Sequence, residues 1–153
     1  MASELPRTGR LAAIDYGTVR LGVAITDPDQ RLASPLENYT RRGVEADAKW
    51  LADLAKHERI VGFVVGLPIH ISGDESQKSR EARTFGQWVS ERTGLPVVFF
   101  DERYTSAHAE ALLLEAELTK KRRKQRLDKL AAQILLSAYL ESSRASDKPL
   151  PLD

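Results

Sequence analysis

The order of the apolar segments is the feature that most limits the fold of this chain. Two strand-like runs, residues 11–15 and 20–26, are joined by a short turn containing Gly17, which predicts a β-hairpin. A weaker strand is predicted within residues 31–39, where Pro35 places it at the edge of a sheet because proline cannot donate a backbone hydrogen bond.

Helix-like and strand-like segments alternate after this point. Apolar residues recur at helical spacing over residues 44–56, and the continuous apolar run IVGFVVG indicates a strand buried on both faces. A second helical stripe ends at Gly94 and is preceded by Ser72 and Glu75, which have the spacing of a capping box. The run PVVFF is another buried strand, and two further helices are expected at about residues 106–116 and 125–142. This order predicts an α/β protein with a mixed sheet, an antiparallel edge and helices on both faces.

Length and composition are those of one ordinary domain. The chain has 153 residues, a hydrophobic fraction of 42% and a formal net charge of +1, so any preference for a charged partner must come from local clusters. Residues 1–143 are expected to form a single domain and residues 144–153 a flexible tail. The absence of cysteine excludes disulfides and thiolate metal sites. No signal-peptide pattern opens the sequence and no apolar run is long enough to cross a bilayer, so we expect a cytoplasmic protein that does not bind membranes.

Three acidic residues are placed where chemistry is expected. Asp15 ends the first strand and Glu102 directly follows the last one, so both should reach the carboxyl edge of the sheet, where α/β proteins bind their ligands. Asp128 lies on the apolar side of a helix, with Ala131, Ala132 and Leu135 as its neighbours. Separately, Asp15 could simply start a turn, and Asp128 could form a salt bridge or cap a helix.

Together, three converging carboxylates would repel one another unless a cation lay between them. Mg²⁺ and Mn²⁺ prefer oxygen ligands, and a pair of such ions can activate water and stabilise a leaving oxygen in phosphodiester cleavage. A zinc site is not expected, because His57, His70 and His108 occupy separate segments.

A basic run, TKKRRKQR, spans residues 119–126 immediately before Asp128. Such a run is usually a solvated helix face, but beside a phosphodiester-cleaving site it suits a nucleic-acid backbone. Its candidate phosphate-binding residues are Lys120, Lys121, Arg122, Arg123, Lys124 and Arg126.

Four segments in order resemble the YqgF family, also called RuvX: AIDYGTVRLGVAITD, VVGLP, PVVFFDERYTSAHAEALL and LDKLAAQILLSAYLES. The resemblance covers residues 11–142. It implies an RNase H-like fold with a five-stranded sheet in the order 3-2-1-4-5, and it implies that Asp15, Glu102 and Asp128 are the catalytic and metal-binding residues. The implied function is a metal-dependent nuclease that processes the 5' end of pre-16S ribosomal RNA, resolves branched DNA such as Holliday junctions, or does both.

The resemblance also indicates which partners the protein binds. The expected partner is a structured RNA precursor or branched DNA, bound by a monomer or a homodimer, and a two-fold symmetric junction would favour the dimer. Arg20 and Arg103 are further candidates for binding phosphates, and His70 could assist a proton transfer at the rim of the site. In the implied strand order Glu102 is two strand spacings, roughly 10 Å, from the strand of Asp15. Gly66 lies between them and would leave room for metal.

Two alternative functions remain open at this point. One is a nucleic-acid-binding factor for ribosome assembly with little or no catalysis. The other is nucleotide binding, because IDYGTVRLGVAI also resembles the first phosphate loop of actin-like ATPases, although those proteins duplicate the core that this chain has room to form once.

Overall fold

The computed structural model describes residues 5–68, 76–105 and 120–145, with the side chains of residues 120–129 and 144–145 excepted. Within these ranges a short 3-10 turn, Glu102–Thr105, follows the last strand. The strands and α-helices, in chain order, are β1 (Arg10–Asp15), β2 (Arg20–Thr26), β3 (Ala33–Thr40), α1 (Val44–His57), β4 (Ile60–Leu67), α2 (Gln77–Thr93), β5 (Val97–Asp101) and α3 (Lys120–Ala145).

The five strands form one sheet in the order β3-β2-β1-β4-β5, as predicted. β1 pairs antiparallel with β2, so that Asp15 lies opposite Gly22, and β2 pairs antiparallel with β3. β1, β4 and β5 run parallel, with Gly66 of β4 beside Phe100 of β5. The carboxyl ends of these three strands therefore meet at one edge of the sheet.

Side chains alternate between the two faces of the sheet and bury a separate core on each. On one face Ile14, Phe63 and Val65 pack against buried residues of α1 and α2, such as Leu51 and Phe85. α1 and α2 cover this face of the sheet, and α3 covers a second core on the other face.

The second core has the residues of β1 that share a face with Asp15. Leu11 and Ala13 pack there against Ala132 and Leu136 of α3. The fully buried Ala132 has the small side chain that lets a helix lie close to a sheet. α3 contacts the start of β3, where the Gln133 amide donates to the Ala33 carbonyl at 3.0 Å, and it contacts β5 through the edge-to-face rings of Tyr139 and Phe100.

The ends of two helices differ from those expected. α2 begins at Gln77 and its N-cap is Ser76, whose Oγ accepts a hydrogen bond from the Ser79 N–H, so the predicted capping box at Ser72 is wrong. The capping serine lies four residues further on and satisfies the Ser79 amide, whereas the predicted capping box would have satisfied the Glu75 amide. α3 already includes Lys120, although its start was expected near residue 125, and it includes Ala145, two residues into the expected tail.

Two predictions fall outside the described residues, namely the helix at 106–116 and the rest of the tail. No helix among the described residues is long and apolar enough to cross a membrane.

Candidate active site

An open groove of about 450 Å³ lies at the carboxyl edge of the sheet, above the ends of β1 and β4. Its walls come from the β1–β2 turn, the facing parts of β2 and β3, the first turns of α2, and the residue that follows β5. The polar residues that line it include Asp15, Thr18, Arg20, Asn38, Lys78, Glu81 and Glu102.

Asp15 reaches the groove because it is the last residue of a central strand. Its neighbour across the hairpin is Gly22, which adds no side chain above the pairing. The turn that follows is tight at Gly17, where an added Cβ would lie 2.5 Å from the Arg20 carbonyl oxygen. The chain therefore reverses directly after the acid, which leaves Asp15 at the lip of the sheet and partly buried.

Glu102 crosses the gap between its own strand and that of Asp15. A Cβ built on Gly66 would lie 2.5 Å from Glu102 Oε1 and 3.1 Å from its Cγ, so the glutamate side chain lies directly over this glycine. The open space expected at Gly66 is filled by the carboxylate itself. The Glu102 side chain thus extends across β4 toward the strand of Asp15.

The two acids interact electrostatically in the metal-free protein. Burial raises the pKa of Glu102 to about 7, and the negative charges of Asp15 and then Asp101 act in the same direction. The Lys78 ammonium opposes this rise in the Glu102 pKa. Near neutral pH, Glu102 is therefore divided between its protonated and ionised forms.

Lys78 and Glu81 are site residues that the sequence reasoning missed. Both lie in the first turns of α2 and line the groove opposite the two acids. A signal was present in the sequence, because Lys78 precedes the buried Ala82 by four residues and so shares its side of the helix. The apolar stripe of α2 predicts the core residues of this helix. Lys78 and Glu81 lie beside that stripe and line the groove.

The two predicted arginines have different surroundings. Arg20 begins β2, is exposed, and lines the groove. Arg103 lies outside the lining of the groove and forms an ion pair with Asp101, with 2.7 Å between Arg103 Nε and Asp101 Oδ2. The hydrogen bonds from Arg103 lower the pKa of Asp101. Binding of a phosphate by Arg103 would have to compete with this pair.

The remaining predicted site residues are not tested by the structure. His70 lies outside the described residues. Asp128 and the basic run from Lys120 to Arg126 lie in the part of α3 whose side chains are not described. Their roles stay predictions.

The described part of the site fits an oxygen-preferring cation in part. Asp15 and Glu102 offer hard carboxylate oxygens, and Thr18 and Asn38 offer neutral oxygens on the same walls. Within the ranges that the structure describes, no three His, Cys, Asp or Glu side chains converge to form a complete metal site. A third acidic ligand would have to come from outside the described side chains, as the prediction for Asp128 requires.

Comparison with protein families identifies one match over most of the chain. The family model described as "RuvX: Holliday junction resolvase" matches residues 9–142. A protein of Rhodopirellula baltica, named as a candidate pre-16S rRNA nuclease, is 55% identical over 139 residues, which are 91% of this chain and 80% of the relative. A Rhodobacter capsulatus protein with the same name is 39% identical over 143 residues, which are 92% of this chain and 88% of that relative.

Solved structures share the fold at low sequence identity. Thermus thermophilus RuvC in complex with a Holliday junction substrate matches with a TM-score of 0.56 and 13% identity, covering 88% of this chain and 96% of that one. The fowlpox virus Holliday junction resolvase matches with a TM-score of 0.51 and 13% identity, covering 88% and 99%. These likenesses confirm the predicted RNase H-like fold.

Proposed function

Since this chain belongs to the RuvX family, we propose that it is a metal-dependent nuclease that hydrolyses phosphodiester bonds in the groove between Asp15 and Glu102. The observation that carries the proposal is the position of the Glu102 carboxyl group over Gly66, in the same groove as Asp15, at the carboxyl edge of the sheet. Two neighbouring carboxylates repel each other when no cation is bound, and a bound divalent cation turns this repulsion into attraction. This is the electrostatic arrangement of a divalent-metal site.

Asp15 and Glu102 would hold the metal, and Asp128 would complete the carboxylate set. We propose Mg²⁺ or Mn²⁺, and two ions rather than one. Bound there, the ions supply an activated water nucleophile and stabilise the leaving oxygen.

The other groove residues act on the substrate backbone. Lys78 and Arg20 line the same walls as the acids and offset the negative charge that a phosphate brings beside two carboxylates. The polar Asn38 and Thr18 can orient a phosphate or a water through hydrogen bonds. His70 is proposed as an accessory proton-transfer group at the rim.

We propose a structured RNA precursor, the 5' end of pre-16S rRNA, as the substrate. The names of the relatives, at up to 55% identity, support this assignment. Branched DNA is the second candidate, because the family description and the two solved structures name Holliday junctions. Action in the cytoplasm, as a monomer or a homodimer, is part of the same proposal.

The test is cleavage of a pre-16S RNA fragment and of a four-way DNA junction by the purified protein, first with Mg²⁺ and then with Mn²⁺. The Asp15→Asn and Asp128→Asn variants are assayed beside the wild type. Metal-dependent cleavage that both variants lose supports the proposal, and the substrate that is cut identifies the partner. Tight binding without cleavage under any metal would instead identify a binding factor for ribosome assembly, and heat on titration with ATP would favour nucleotide binding.

A further inference from the structure

A second cavity lies beside the active groove, between the start of α1 and the outer side of α2. Its volume is about 500 Å³. Tyr16, which directly follows Asp15, lines both spaces, and so does Glu81. The cavity therefore adjoins the groove at Tyr16, one residue from the proposed metal-binding acid.

Three aromatic rings lie together beside this cavity, and the buried Phe85, 5% exposed, supports the partly exposed rings of Tyr16 and Trp88. Tyr16 lies 4.9 Å from Phe85 between ring centroids, and Phe85 lies 5.7 Å from Trp88. Val44 is 57% exposed at the start of α1 and adds an apolar side chain to the lining. We call this cavity, lined by Tyr16, Arg41, Val44, Phe85 and Trp88, the aromatic recess.

The Arg41 guanidinium adds a second flat surface to the lining. Its Cζ lies 5.7 Å from the centroids of both Tyr16 and Phe85. Its Nε pairs with the buried carboxylate of Asp47 at 3.1 Å, and its Nη1 donates to the Gly17 carbonyl at 3.4 Å. These contacts hold the guanidinium in place and offset its charge, so Arg41 offers a stacking surface more than a site for a phosphate.

We propose that the aromatic recess receives one unpaired nucleobase of the nucleic-acid strand bound in the groove. The inference rests on the proposed function, since it places the base beside the bond that is cut. Unpaired bases stack on aromatic rings and guanidinium planes, whereas bases inside a duplex cannot leave the stack without losing their pairing. Arg80, which is exposed and lines the recess, lies where it can contact the phosphate of the same nucleotide.

The recess contains one of the two tryptophans of the chain, which allows a direct test. Trp50 stacks on Tyr39 elsewhere, with ring centroids 3.8 Å apart, so the Trp50→Phe variant keeps a ring there and leaves Trp88 as the sole tryptophan fluorophore. This variant is titrated in EDTA with a short single-stranded RNA and with an abasic oligonucleotide of equal length. We expect the RNA to change the Trp88 fluorescence and to bind about tenfold more tightly than the abasic strand, a factor within the range that one stacked base contributes.

A blocking variant tests the location. Thr84 lines the recess from the exposed side of α2, and Thr84→Phe fills the space. Gln87→Phe places the same ring on the same helix outside the recess and serves as the matched control. We expect Thr84→Phe to abolish the tenfold preference for the base-containing strand while Gln87→Phe retains it, with equal circular dichroism spectra.

Equal affinity and equal fluorescence changes for the RNA and the abasic strand would overturn the proposal. So would a Trp88 signal that depends on protein concentration alone, which would assign the recess to a second copy of the chain. The test does not depend on catalysis. Cleavage without base-dependent fluorescence would reject base binding in the aromatic recess and retain the proposed nuclease function. Base-dependent fluorescence without cleavage would retain base binding and reject the proposed nuclease function.

Discussion

Asp15 and Glu102 are the residues on which the site depends most. The Asp15 carboxylate makes ionisation of Glu102 less favourable, so the pKa of Glu102 is raised further than burial alone would raise it. Asp101 adds to this effect although it lies outside the lining of the groove. Removing the negative charge of one of these acids should therefore leave the folded state at least as stable and abolish cleavage.

We expect Asp15→Asn to abolish metal-dependent cleavage and to leave the free energy of unfolding in EDTA unchanged or higher. Asparagine keeps the shape of the side chain but removes the charge that opposes ionisation of Glu102. Urea unfolding and a cleavage assay measure the two effects. Asp29→Asn, in an exposed turn, is the control that should retain full activity. Residual activity above about a tenth of wild type would contradict the role of Asp15.

The raised pKa of Glu102 makes the stability of the metal-free protein depend on pH. The ordinary pKa is 4.5 and the folded value is about 7, so the folded state holds the proton more tightly between these values. The contribution of this group to stability is complete below the ordinary pKa and falls as the pH rises toward 7. The full loss is at most about 3 kcal/mol.

We expect Glu102→Gln to remove this part of the pH dependence. Urea unfolding in EDTA at several values from about pH 5 to about pH 8 should show a smaller loss of stability for the variant than for the wild type. Metal binding to the wild type should strengthen over the same range, because the ligand must release its proton. Parallel stability curves for the two proteins would show that Glu102 titrates at its ordinary pKa.

At the scale of single elements, β4 contributes to the site through Gly66, the residue before its last one, which has no side chain. Gly66→Ala would place a methyl group 2.5 Å from Glu102 Oε1, so the flexible glutamate must move. We expect cleavage to fall about a hundredfold, as for a catalytic group displaced by about 1 Å, with a small change in stability. Gly62→Ala, on the same strand, would meet only the ends of the Leu5 and Leu11 side chains and is the matched control. Equal activity of both variants would reject this account.

α1 is tied to the sheet through one buried acid. Asp47 accepts hydrogen bonds from the Tyr39 hydroxyl at 2.8 Å, from Arg41 Nε and from the Arg42 N–H. Asp47→Ala would leave these donors without their acceptor, and we expect the free energy of unfolding in urea to fall by about 3 kcal/mol. Asp53→Ala, exposed on the same helix, should cost little. A similar small cost for both variants would mean that water replaces the Asp47 carboxylate.

Sequence patterns predicted the elements well because each strand and helix buries a regular set of apolar residues. The strand order came from the family resemblance, and the hairpin and the alternating helices were readable from residue spacing alone. The start of α2 was misplaced because several serines can cap the same helix, and only tertiary packing selects Ser76.

The sequence predicted those site residues whose positions depend only on where the strands end. Asp15 and Glu102 could be placed at one edge because the carboxyl ends of parallel strands meet there. The reach of Glu102 over Gly66 could not be foreseen, since it depends on a rotamer and on the turn after β5. Lys78 and Glu81 come from another element, and their approach depends on how α2 crosses the sheet.

At the scale of the whole molecule, the charge is nearly balanced at +1, so the attraction for a polyanion depends on where the positive charges lie. Six of the eight residues at 119–126 are basic. We expect Gln substitutions at Lys120, Lys121 and Arg123 together to weaken binding to all nucleic-acid sequences alike. The slope of log affinity against log salt should flatten by up to about two units, at roughly 0.7 to 0.9 for each phosphate that the variant no longer neutralises.

A second triple variant controls for the change in net charge. Lys49, Lys56 and Arg59 belong to α1 and the turn after it, away from the groove, and their replacement by Gln removes the same charge. Equal effects of the two triple variants on the salt slope would show that overall charge, not the run at 119–126, governs binding. Metal affinity should stay near the wild-type value in both, because neither triple variant removes a proposed metal ligand.

The edge strand β3 restricts how copies of this protein can associate. Pro35 has no N–H to offer, and the register of β3 against β2 shifts beside it. Strand edges interrupted in this way resist pairing with a neighbouring chain. A two-fold assembly would therefore have to form elsewhere than by joining β3 edges into a continuous sheet, and crowded preparations of the protein should not grow fibres from this side.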